Sequence, residues 1–160
     1  MLILRRFNPH TQSVQFLCDT IVCNHILLVS LELVSHSGKF KGMKFNMTDH
    51  VIQFANAETM RHFGSLLEEY ERNTPFLNDC IFTLMHHIAG DLARPQTLFL
   101  PSILKSFTKI RRLNISGDWK DLIEFTIQKY IMEVGCFPEN MMDYLTDRDD
   151  EITSDKSFVR

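Results

Sequence analysis

The stretch 65-SLLEEYERNTPFLNDCIFTLMHHIAGDL-92 holds the end of one helix, a sharp joint, and a second helix that is apolar over most of its surface. Asn73-Thr74-Pro75 makes the joint. Thr74 is placed to cap the second helix, and Pro75 takes its first position, where a missing N–H costs nothing. At about 100° of rotation per residue, Leu77, Cys80, Ile81, Leu84, Met85, Ile88, Ala89 and Leu92 fall on one broad arc, and Phe82 closes its edge. Asp79, Thr83, His86, His87 and Gly90 are left for the other side. A helix this apolar is covered on more than one flank. It is the expected centre of an all-α layer structure.

Before this stretch, the pattern predicts a helix over Gln12 to Val34, capped by Thr11 or Ser13. Val14, Leu17, Cys18, Ile21, Val22, His25, Leu28, Val29 and Glu32 share one side of it. Phe16, Ile26, Leu27 and Leu31 lie elsewhere, so this helix too is apolar nearly all round. Two such helices are unusual in a lone domain of 160 residues. They point to a piece of, or a partner for, something larger. Ser35 to Lys44 reads as a lysine-bearing loop. Thr48 is placed to cap a short helix to about Phe54, and Asn56 a longer one over Ala57 to Arg72. The inner face of the longer helix is Met60, Phe63, Leu66, Leu67 and Tyr70.

Beyond the central helix, Arg94-Pro95 breaks the chain and Gln96 to Leu100 forms a turn. Pro101 starts a helix to about Leu113 with Ile103, Leu104, Phe107 and Ile110 inward. The last strong helix is Trp119 to Val134, capped by Ser116 or Asp118. It carries Trp119, Leu122, Ile123, Thr126, Ile127, Tyr130, Ile131 and Val134 on one stripe, with Gly135 just past its end. Pro138 to Leu145 can add a short helix. Residues 1–145 thus form one helical segment, and the acidic stretch 146–160 is expected to be disordered. Helices in antiparallel pairs, each leaving an apolar face uncovered, describe an α-solenoid of irregular repeats.

Composition is that of an ordinary globular protein: 44% hydrophobic, 23% charged, with a formal net charge of −3 that gives no global basic field for nucleic acid. Cys18, Cys23, Cys80 and Cys136 form no C-x-x-C pair, and buried free thiols in a reducing compartment are expected. Ile21 to Val34, the most apolar run, is interrupted by Asn24, His25, Ser30 and Glu32, and reads as too short and too polar to span a bilayer.

Chemistry-bearing residues are sparse. His86 and His87 are adjacent, so they point about 100° apart and cannot chelate one metal without a third group. His25 reads as a hydrogen-bonded core histidine. Asn78 falls inside the apolar arc near the start of the central helix, where its amide must bond the joint or a neighbouring helix end. No nucleophile elbow, dinucleotide fingerprint or phosphate loop occurs. The expectation is no enzyme, no cofactor, no metal and no small-molecule substrate. Partner-binding candidates are Asp79, His86 and His87 on the polar strip, together with Lys39, Lys41 and Lys44. Phe40 and Phe45 interleave with those lysines, a pattern also seen in single-strand binders.

Three blocks resemble the Timeless family: Phe16 to Leu33, Phe45 to Tyr70, and Asn73 to Ile110. The resemblance implies an armadillo/HEAT-like helical scaffold, non-enzymatic and nuclear with cytoplasmic shuttling, in proteins several times longer than this chain. The family has two branches. One is the insect-type clock protein, which pairs with period and responds to light through cryptochrome. The other is the replication-fork protector, which pairs with Tipin and the replisome and contacts DNA at most indirectly. The wording Met85-His86-His87, Gly90-Asp91, the proline-bearing run Leu100 to Phe107 and Asp118 to Ile131 leans to the clock branch.

Overall fold

The computed structural model describes residues 4, 6–37 and 45–135, which hold helices and turns and no strand. The order is α1 (Val14–His36), α2 (Met47–Val51), α3 (Ala57–Glu68), α4 (Pro75–Ala89), a 3-10 turn (Pro95–Leu98), α5 (Pro101–Ile110) and α6 (Gly117–Val134). The all-α expectation holds. The loop lysines and the segment from Cys136 onward, including the proposed short helix and acidic tail, lie outside the described residues.

Local chemistry sets the helix starts. Ser13, rather than Thr11, caps α1 by accepting the Phe16 N–H at 3.1 Å. Asn46 caps α2 by accepting the Thr48 N–H at 3.1 Å, so the helix begins before Thr48 instead of being capped by it. Asn56 caps α3 through the Thr59 N–H, and Thr74 caps α4 through the Leu77 N–H. Ser116 occupies the cap position of α6 without a side-chain bond, and Gly135 closes that helix in the left-handed region at φ 78°.

α3 and α5 end earlier than periodicity predicts, whereas α1 runs two residues past Val34 to His36. α3 stops at Glu68, not Arg72, because Asn73 takes over a terminal acceptor: its side-chain amide donates to the Leu66 carbonyl at 2.8 Å. α5 stops at Ile110, where the Arg112 and Leu113 N–H groups turn back to the Lys109 and Ile110 carbonyls.

The core gathers on α4. Leu77, Cys80, Ile81, Phe82, Leu84, Met85, Ile88 and Ala89 are all buried, against α1 and α2 on one flank and the 3-10 turn and α6 on another. α3 and α5 run in the same direction: Gly64 lies against Ser102 and Ile103, while Leu67 and Tyr70 line a cleft with Ser106 and Ile110 further along. α4 and α6 also run the same way, since Phe82 stacks on Trp119 and, further on, Gly90 and Phe125 line one groove.

One sequence expectation fails on packing. Ile131 and Val134 are 42% and 50% exposed, so the α6 stripe is buried only from Leu122 to Ile127. On α1, only Leu17, Ile21 and Leu28 are buried, leaving Val14, Phe16, Ile26, Leu27, Val29 and Leu33 exposed. The helix is also longer than the apolar run within it. At 23 residues it is long and apolar enough to cross a bilayer by length and composition, contrary to the sequence reading. It is docked on α4 through Leu17, Ile21 and Leu28 and carries Asp19, Asn24, His25 and Glu32 along its length.

Candidate partner-binding groove

The floor of the groove between α4 and α6 is aromatic. Phe82 stacks on Trp119 at 4.7 Å between ring centres with 9° between planes, and on Phe107 at 5.8 Å with 13°. Tyr70 meets Phe82 and Trp119 edge-on, each at 6.4 Å. Such pairs add about 0.5–1.5 kcal/mol beyond the area they bury, which fixes the distance between the helices. The outer surface of this packing is a cleft of about 430 Å³, walled by Thr83, His86 and His87 from α4 and by Asp118, Trp119 and Leu122 from α6. A second hollow of about 250 Å³ continues it past His86 to Ala89, Gly90, Asp121 and Phe125.

The polar rim is asymmetric. His87 Nδ1 lies 2.6 Å from the Asp91 carboxylate at the end of α4. The His86 ring stands edge-on to His87, with 6.2 Å between centres. Asp118 and Asp121 form the opposite rim. The groove therefore offers an aromatic floor, imidazoles on one side and carboxylates on the other. It lacks any nucleophile–base pair, and among the described residues no three His, Cys, Asp or Glu side chains gather to hold a metal ion.

His86 and His87 thus lie together in the groove. Asp79 does not: it is exposed elsewhere on α4, where its charge bears on His25, Tyr70 and Cys80. Lys39, Lys41 and Lys44 lie outside the described residues; the neighbouring Phe45 stacks on His50 at 4.7 Å. His25 is not a hydrogen-bonded core residue. Its ring is half-buried and meets Phe76 edge-on at 6.1 Å, and burial, then the neighbouring His87, lowers its pKa against an opposing pull from Asp79. Asp118, Asp121 and Phe125 were missed as groove residues. Phe125, off the inner stripe of its helix, was the available signal.

Of the described thiols, Cys80 fits the expectation of a buried free thiol and Cys18 and Cys23 do not. Cys80 is buried, and burial, reinforced by Asp79, pushes its pKa up to about 11. Cys18 is only half-buried and Cys23 is exposed. Cys136 lies outside the described residues.

Residues 57–154 match the family model described as TOF1-like, helical domain. Over 134 residues, 82% of its length, the chain is 46% identical to the protein timeless of Drosophila melanogaster. The chain belongs to the Timeless family. The protein timeless of Drosophila hydei is likewise 46% identical, over 109 residues or 68% of the chain. The human protein timeless homolog is 32% identical over 89 residues, 56% of the chain. The matched part is 9% of the Drosophila melanogaster protein, 16% of the Drosophila hydei protein and 7% of the human one. On this Timeless-family chain the match to the family model takes in α3 to α6, and with them both walls of the groove.

Proposed function

We propose that this Timeless-family chain is part of a non-enzymatic protein-binding scaffold of the circadian clock, acting in the nucleus and shuttling to the cytoplasm. Period and cryptochrome are the expected partners. The observation that carries the reading is the 46% identity to two fly timeless proteins over most of the chain, against 32% over a shorter stretch of the human homolog. The packing suits a scaffold. Alternate helices run the same way, as they do when helix pairs stack into an armadillo/HEAT-like solenoid, and the faces left between them are extended grooves rather than enclosed pockets.

The second reading is replication-fork protection through Tipin and the replisome. The human homolog is 32% identical over 89 residues of the chain, so a family scaffold is open to both readings. Affinity capture from native cells, with the longest natural form of the chain as bait and mass spectrometry as readout, separates them. Recovery of period and cryptochrome supports the clock. Recovery of Tipin with replisome subunits, on replicating chromatin, overturns it in favour of the fork.

A further inference from the structure

We draw no further inference here: the strongest candidate, the outward apolar face of α1 on which Phe16, Ile26, Leu27 and Leu33 stand exposed, carries nothing because nothing in the structure shows what covers it.

Discussion

The side-chain amide of Asn73 donates to the carboxamide oxygen of Asn78 at 3.0 Å, across the joint between α3 and α4. Asn78 in turn donates to the Tyr70 carbonyl at 2.9 Å, and Asn73 to the Leu66 carbonyl at 2.8 Å. Two asparagines therefore bond backbone carbonyls at and just beyond the end of α3, and Asn78 does so while only 4% exposed. Asn78→Ala should cost about 1–3 kcal/mol in urea unfolding, since it strands partners in the interior. Asn73→Ala combined with it should cost less than the sum of the single changes, because they share one network.

Gly64 of α3 is where α5 comes closest. A Cβ built there meets the Ser102 Oγ and lies 3.1 Å from Ser102 Cβ and 3.2 Å from Ile103 Cγ1. Two effects compete in Gly64→Ala: the squeeze on Ser102 and Ile103, and a helix-propensity gain of about 1 kcal/mol. The hydroxyl can rotate away, so the net change in thermal midpoint should be small. Gly64→Leu has no such escape and should destabilise by about 3 kcal/mol.

Acid should weaken the fold through two histidines. Burial is the first cause that holds His25 and His62 below the ordinary imidazole range. Around His25, His87 acts in the same direction and Asp79 against it; around His62, Arg61 acts with burial, while Glu58 and the Leu4 backbone oppose it. With folded values below the unfolded one, the unfolded chain binds more protons as pH falls. Stability from this source is complete above the unfolded value of about 6.5 and is lost as pH drops through it towards the folded values. The urea midpoint should therefore fall between about pH 7.5 and pH 5.5. The dependence should flatten in His25→Gln/His62→Gln.

Thiol chemistry should sort the cysteines by burial. Exposed Cys23 should alkylate quickly at mildly alkaline pH. Cys18, half-buried and with its pKa raised first by burial and then by Asp19, should follow more slowly. Cys80, fully buried with a pKa near 11, should react only after denaturation. Timed iodoacetamide labelling with peptide mapping reads all three, and rapid labelling of Cys80 in the native protein would contradict the packing described for α4.

What was legible in the sequence divides along physical lines. The α4 arc, the Thr74-Pro75 start and the architectural use of Asn78 all follow from local periodicity and hydrogen-bond need, and they stand as read. The inward residues of α5 follow for the same reason. Helix ends were harder, because α3 ends where Asn73, seven residues beyond Leu66, supplies its amide. Burial on α1 was illegible, since an apolar helix does not encode which of its sides finds a neighbour. The groove was half legible: His86 and His87 stood out by composition, whereas Asp118 and Asp121 gain meaning only when α6 lies beside α4.

α4 is packed on one flank by α1 and on another by α6. A helix held in this way behaves as a shared axle rather than as a member of two separate assemblies. Packed helices slide by about 1–2 Å as rigid rods more readily than they bend. A displacement of α4 towards α1 would therefore widen the space before Trp119 and Asp118, and pressure from an occupant of that space would be felt at Phe76 and His25. The two outer surfaces of this segment thus share one helix of fifteen residues.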